Sequence, residues 1–302
     1  MDKESVVRSF VGNRPKSLGA YGYGSGVFRQ VGNDKGNPQI DLIFLVDDLK
    51  EWHSENLEKN KRDYSFLGRL HVNRSNSNKL KGYNGITYYS QIFEGGYRFK
   101  YGVMEERDFL EDLSSWRNFF VAGRFHKPVM RINGSLMEED AIEKNRKQAF
   151  LVTAFLAPKV ISKKHFLKLL CSLSYRGTMR MNFAENPHKV DNIVNGSYDK
   201  LLEIYSFDTD YIQVIEDDKL LIDESILMKH VSELPIGLLV YLYRSGFDFK
   251  SINDVRRGIK SFFDEHNKTE EIYQSIDGIK TNGIVRSVPY LLAKVKKRII
   301  HN

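Results

Sequence analysis

Apolar and polar positions follow two rhythms along this chain, and the change falls near Gly134. Before it, short apolar runs predict strands. Ala20–Tyr23 is small and apolar, with glycines at 19, 22, 24 and 26, and Ile40–Val46 is an apolar run bounded by Asn37-Pro38 and Asp47-Asp48; the second reads as a buried strand. A helix is expected next. Asp48-Leu49-Lys50-Glu51 has the spacing of a capping box, and Leu49, Trp52, His53 and Leu57 fall on one face. Ile86–Phe93 and Tyr97–Met104, joined through Glu94-Gly95-Gly96, predict a hairpin. Phe109, Leu110, Leu113, Trp116 and Phe120 recur at helical spacing, and Val129–Ile132 adds a strand.

After Gly134 helical periods dominate, over 136–158, 163–174 and about 224–244. A small hairpin is expected from Tyr211–Ile215 and Lys219–Ile222 around Glu216-Asp217-Asp218. The pattern predicts an α/β (α+β) protein: a mixed sheet with helices in 1–134, a mainly helical, winged-helix-like domain in 135–246, and a C-terminal region from 247 to 302. No internal repeat is visible.

Composition narrows the class. The 302 residues are 41% hydrophobic and 28% charged, which excludes disorder as the main state. A formal charge of +7 favours acidic partners: nucleotides, RNA or an anionic membrane. Cys171 is the single cysteine, so there is no internal disulfide framework. No apolar run approaches the ~20 residues that span a bilayer. Met1-Asp2-Lys3-Glu4-Ser5 resembles neither a signal nor a transit peptide, so a cytoplasmic protein is expected.

Tyr23-Gly24-Ser25-Gly26-Val27 stands where a strand should pass into a helix. Glycines there let a phosphate approach the backbone, and the Ser25 hydroxyl is a further donor. Asp41 follows at the start of the next strand. A Gly-Ser turn, a short helix and an aspartate within an apolar strand resemble the nucleotidyltransferase fold related to polymerase β, in which two aspartates at i and i+2 hold Mg²⁺ against a triphosphate. Asp41 fits the second aspartate, but Gln39 stands where the first would be. Asp47 is no substitute, because six strand residues carry it about 20 Å away, and Asp48 reads as a helix cap. Asp112 is the candidate second metal ligand. Lys100, Arg124 and Lys127 are candidate phosphate contacts, whereas His53 beside Trp52 reads as a hydrogen-bonded core histidine.

The ordered strings carry a more specific resemblance. Tyr23-Gly24-Ser25-Gly26-Val27-x-x-Gln30-x-Gly32 precedes Asp41-x-x-Phe44-x-Val46-Asp47-Asp48, Trp52-His53-x-x-Asn56-x-x-x-Asn60 and Tyr64-Ser65-Phe66-Leu67. Lys100-Tyr101-Gly102-Val103, Glu111-Asp112-Leu113-x-x-Trp116, Ala122-Gly123-Arg124-x-x-Lys127-Pro128-Val129, Ser174-Tyr175-x-Gly177-x-x-Arg180-Met181 and Lys189-Val190-x-Asn192-Ile193-Val194 follow. This order resembles the mitochondrial translocator assembly and maintenance family, the soluble CDP-diacylglycerol synthases. Thr178 departs from it, at a place the family often fills with aspartate.

The resemblance implies transfer of a cytidylyl group from CTP to phosphatidic acid with Mg²⁺ (Mn²⁺ as its substitute), and no nucleic-acid partner. It also implies nucleotide contacts at Gly24, Ser25, Gly26 and Gln30, catalysis by Asp41 and Lys100, and phosphate contacts at Arg124, Lys127 and Lys189. Without a presequence, a bacterial member on the inner face of the cell membrane is expected. The alternatives are nucleotidyl transfer to an RNA end and a non-catalytic protein on a decayed core. At the C-terminus, Pro289 opens a predicted helix with Val288, Leu291, Leu292, Val295 and Ile299 on one stripe and Lys294, Lys296, Lys297 and Arg298 outside it. That pattern suits an interfacial membrane anchor, with Leu291, Leu292, Lys294, Val295, Lys297 and Arg298 as its contacts.

Overall fold

In a computed structural model, residues 2–28, 39–178 and 186–269 are described. The chain opens with a helix that the strand-and-motif pattern did not announce, α1 (Lys3–Gly12). Asp2 caps it by accepting from the Ser5 amide at 2.8 Å, and it buries Val6, Val7 and Phe10. Phe10 stacks on Phe99 with ring centroids 3.8 Å apart.

Five strands form the main sheet: β1 (Gly19–Tyr23), β2 (Ile40–Val46), β3 (Ile86–Glu94), β4 (Tyr97–Glu105) and β5 (Val129–Asn133). Their order is β3-β4-β2-β1-β5. β2 and β4 run parallel and the other neighbours antiparallel, so the sheet is mixed, as the pattern predicted. The hairpin turn between β3 and β4 needs positive φ at Gly95 and Gly96, 59° and 81°, which glycine supplies without strain.

The continuous apolar run of β2 follows from burial on both sides. Ile40, Leu42, Phe44 and Val46 pack with Val7, Phe10 and Trp52, on the side of α1 and α2 (Leu49–Lys59). Short helices α3 (Phe66–Arg74) and α4 (Ser77–Leu80) follow α2. Ile43 and Leu45 pack on the opposite face with Phe109 and Leu113, from α5 (Glu106–Ser115). Asp41 shares the parity of Ile43 and Leu45, and so opens on this second face.

Helix α5 ends at Trp116, φ 57°, and a loop leads to α6 (Ala122–Phe125). The long helix α7 (Leu136–Leu156) starts in the capping box of Ser135 and Glu138. Then come β6 (Val160–Ser162), α8 (Lys163–Ser172), α9 (Lys189–Ile204), β7 (Ile212–Glu216) and β8 (Lys219–Ile222). The expected hairpin is present, but β6 joins it in a three-stranded sheet of order β6-β8-β7. Three residues are too few to show a period, so β6 was invisible in the sequence.

The single helix expected over 224–244 is broken into α10 (Glu224–Leu227), a 3₁₀ turn (Met228–Glu233) and α11 (Ile236–Arg244). Pro235 lies at the last break and has no amide to continue the ladder. The polar stretch after 247 also holds a helix, α12, over residues 252–269. It buries Val255, Ile259, Phe262 and Phe263 in the core that contains Tyr21 and Ile43. One apolar core thus joins the second face of the main sheet to the helical part. Among the described residues, no single helix is long and apolar enough to cross a membrane.

Candidate active site

Strand register sets the site. Asp41 on β2 stands between Tyr23 on β1 and Lys100 on β4. Asp41 Oδ1 accepts from Gln39 Nε2 at 3.0 Å, an i, i+2 pair on one face. The turn after β1 folds over this end of β2. Val27 and Phe28 donate their amides to Gly24 O at 3.2 and 3.0 Å. Gly24 has φ 75°, and a Cβ there would stand 3.7 Å from Asp41 Oδ2. At Gly26 a Cβ would lie 2.2 Å from Gln39 O. Gly26 thus lets backbone press on backbone, and Gly24 lies beside the Asp41 side chain.

Cations and aromatic rings line the rest. Lys100 Nζ lies 4.2 Å from the Tyr88 ring centroid, and the Tyr23 hydroxyl donates to Tyr88 Oη at 3.2 Å. Gly102 makes room for this ring, since a Cβ there would meet Tyr88 at 2.8 Å. The Arg124 guanidinium lies 3.8 Å from the Phe120 ring centroid and donates to Phe120 O at 2.5 Å. Burial pushes the Tyr23 phenol well up, with Tyr88 and Asp41 adding to the effect and Arg124 opposing it.

Lys127 is brought to a different element. Its ammonium donates to Gly123 O and to Ser174 Oγ, the latter at 2.6 Å, and lies 5.3 Å from the Tyr175 ring. This ties α6 to the Ser174-Tyr175 segment after α8. Lys189 is the first residue of α9, its amide bonded to Asn186 O at 2.9 Å.

Two cations at the turn were missed. Lys3 Nζ donates to Gly26 O at 3.0 Å, and Lys200 Nζ lies 5.6 Å from the Phe28 ring. They arrive from α1 and α9, and no local motif marks them.

Asp112 is not available as a metal ligand. Its Oδ2 accepts from the amides of Val121 and Ala122 at 2.8 and 3.1 Å, and Oδ1 from Asn118 at 3.1 Å. The loop between α5 and α6 has positive φ at Trp116 and Phe119, so its amides point inward and require an acceptor. Burial pushes the Asp112 carboxyl up while the backbone amides pull it down. The expectation of a second metal ligand at Asp112 therefore gives way to a loop-capping role. Gln30, Arg180, Met181 and the tail residues Leu291, Leu292, Lys294, Val295, Lys297 and Arg298 lie outside the described residues.

The Trp52-His53…Asn56…Asn60…Tyr64 string serves the far face of the sheet. His53 is fully buried, with Nδ1 2.9 Å from Tyr64 Oη. Asn56 Nδ2 donates to Tyr64 and Tyr101 hydroxyls, each at 2.9 Å. Tyr101 donates to Asp63 Oδ2 at 3.0 Å, and Asp63 pairs with the buried Arg14 at 3.2 Å. Burial pulls the His53 imidazole down to about 3, so it is a neutral structural residue.

A family model described as phosphatidate cytidylyltransferase, mitochondrial, matches residues 5–235. The chain is 30% identical to a Schizosaccharomyces pombe protein named phosphatidate cytidylyltransferase, mitochondrial, over 318 residues covering 93% of this chain and 80% of that one. A Danio rerio protein of the same name is 30% identical over 92% of this chain and 89% of its own length. The Homo sapiens protein is 36% identical over 66% of this chain and 45% of its own length. The expectation of a bacterial, cytoplasmic member is overturned, because these relatives are named mitochondrial. A start without a presequence pattern was no guide to location. With a matched region that contains the Gly24–Asp41 turn and strand, the chain belongs to the mitochondrial phosphatidate cytidylyltransferase family.

Proposed function

We propose that this chain is a phosphatidate cytidylyltransferase, converting CTP and phosphatidic acid to CDP-diacylglycerol and pyrophosphate. The observation that carries the reading is family membership over residues 5–235. The site suits that chemistry. A phosphate monoester has a second pKa near 6, so the nucleophile is already mostly dianionic at pH 7. A phosphatidate oxygen attacks the α-phosphorus of CTP, and the bond to pyrophosphate breaks in line. No general base is needed, and catalysis is positioning plus charge neutralisation.

In this reading the Gly24-Ser25-Gly26 backbone cradles the triphosphate, with Lys3 and Lys200 raising the positive potential around the turn. Lys100 and Arg124, held by Tyr88 and Phe120, supply charge where the two anions meet. Lys127 and Lys189 are assigned to the phosphates by the family strings.

Among the described residues, no group of three or more His, Cys, Asp or Glu forms a protein cage for a metal. Gln39 Oε1, however, is buried without a hydrogen-bond partner, on the side chain that bonds Asp41. Mg²⁺ usually takes one or two carboxylates plus substrate phosphates, and an aspartate with a neighbouring amide oxygen fits that demand. Asp41 and Gln39 would hold it. The ion would supply electrostatic neutralisation of the triphosphate. The relatives' mitochondrial setting belongs to the same reading, and the acid-free segment 286–302 is proposed to meet the anionic membrane surface.

Product identification tests the substrate. With Mg²⁺ and labelled CTP, label should enter a lipid in the presence of phosphatidate vesicles and stay out of added RNA. Label in RNA would contradict the reading.

A further inference from the structure

On the same face of the sheet as Asp41, a groove of about 900 Å³ runs beneath β5 between α7 and the end of α9. That is the size of a small-molecule pocket. Its inner wall is apolar and aromatic: Ile142, Phe150 and Leu151 from α7, Ile204 and Tyr205 from α9 and its end, and Val129 from β5. Val129 pairs with Tyr23, and Tyr23 pairs with Asp41. Two strand spacings, about 10 Å, therefore separate the Val129 side of the groove from the aspartate.

Two side chains that line this groove each carry a polar atom without a partner. Arg146 Nε and Gln148 Oε1 are buried with no hydrogen bond. The other cations of the lining are engaged, Arg131 with Glu139 and Lys147 with Glu143. Burial of Arg146 pulls its guanidinium below the ordinary arginine range. An unpartnered polar group beside an apolar wall costs free energy, and the Arg146 guanidinium lining the groove offers a ligand carbonyl a donor.

Charge decides which part of a lipid fits. The lining carries five acids, Glu139, Glu143, Glu203, Asp208 and Glu233, against three cations. A dianionic phosphate is disfavoured there, whereas a neutral ester with its chain is not. We propose that this groove is the acyl subsite of the lipid substrate. The Arg146 guanidinium donates to an ester carbonyl of the diacylglycerol moiety, and Phe150, Leu151 and Ile204 take the chain, while the phosphate reaches back toward Asp41. The proposal rests on the phosphatidate reading of the active site.

Binding measured without turnover separates the two claims. Titration calorimetry would use dioctanoyl phosphatidate and, as the headgroup alone, glycerol 3-phosphate. Ile204→Trp fills the groove at a half-buried position, and Arg146→Gln removes the donor. The expected result is a Kd for dioctanoyl phosphatidate raised about tenfold or more in each variant, with glycerol 3-phosphate and CTP affinities unchanged. Wild-type affinity for dioctanoyl phosphatidate in both variants, with wild-type circular dichroism, would overturn the subsite. No binding of it by the wild-type chain would do the same. Failure of the activity itself would appear separately, as no CDP-diacylglycerol from any of the three proteins.

Discussion

Gly24 lies against Asp41, so close that a Cβ on the glycine would stand 3.7 Å from Asp41 Oδ2. The turn and the strand end are thus neighbours, and in the proposed function a triphosphate on the turn would come within reach of the carboxylate. The Gln39 amide, 3.0 Å from Oδ1, fixes the other side of Asp41 and takes the place of the first aspartate of the polymerase-related pattern.

Substitutions in the turn should separate the substrates. Gly24→Ala places a side chain at φ 75°, a strain of about 1–2 kcal/mol that the turn must absorb. CTP affinity should fall several-fold by calorimetry while dioctanoyl phosphatidate affinity holds. Unchanged CTP affinity in a folded variant would mark the turn as purely structural.

Asp112 should behave as a structural residue. Asp112→Ala strands the Asn118, Val121 and Ala122 amides, a loss of about 3 kcal/mol or more. Its urea midpoint should drop, and the Mg²⁺ concentration for half-maximal activity should match wild type in whatever folds. A shifted Mg²⁺ requirement with intact stability would restore it as a ligand.

His53 should make the protein acid-sensitive. Its folded pKa is pulled down to about 3 by burial, from 6.5. Below pH 6.5 the unfolded chain gains a proton there that the folded chain does not. Stability therefore falls as pH drops, by about 2 kcal/mol between pH 6.5 and 5 from this residue. His53→Gln should lower Tm at pH 7.5 yet show a shallower decline toward pH 5. An equal slope would contradict the assignment.

Removing the basic tail should loosen membrane binding. A chain lacking residues 286–302 should sediment less with phosphatidate vesicles, most visibly at low salt, where each cation adds about 1 kcal/mol. CTP affinity should be untouched. Equal vesicle binding would locate the anchor elsewhere.

The strands and the Gly-Ser turn were legible because β2 is buried on both faces and because glycine marks close backbone approach. Asp41 was legible for the same reason, as an acid within an apolar run. What the pattern missed has physical causes. Lys3 and Lys200 reach the turn from α1 and α9, and only the tertiary fold joins those segments. Asp112 has the residue type of a ligand, yet the inward amides of a left-handed loop claim it. Pro235 broke a period that continued on both sides. His53 was legible as a core histidine beside Trp52, and its bond to Tyr64 joins it to the buried Arg14–Asp63–Tyr101 network, whose other members lie too far apart in sequence to be seen together.

The most direct test is the initial rate of CDP-diacylglycerol formation from CTP and phosphatidate vesicles by the wild-type chain and Asp41→Asn, each with its Tm. The wild type should form product, and the variant should lose about a thousandfold in rate with Tm within a few degrees. Comparable rates in the two proteins would contradict an active site centred on Asp41.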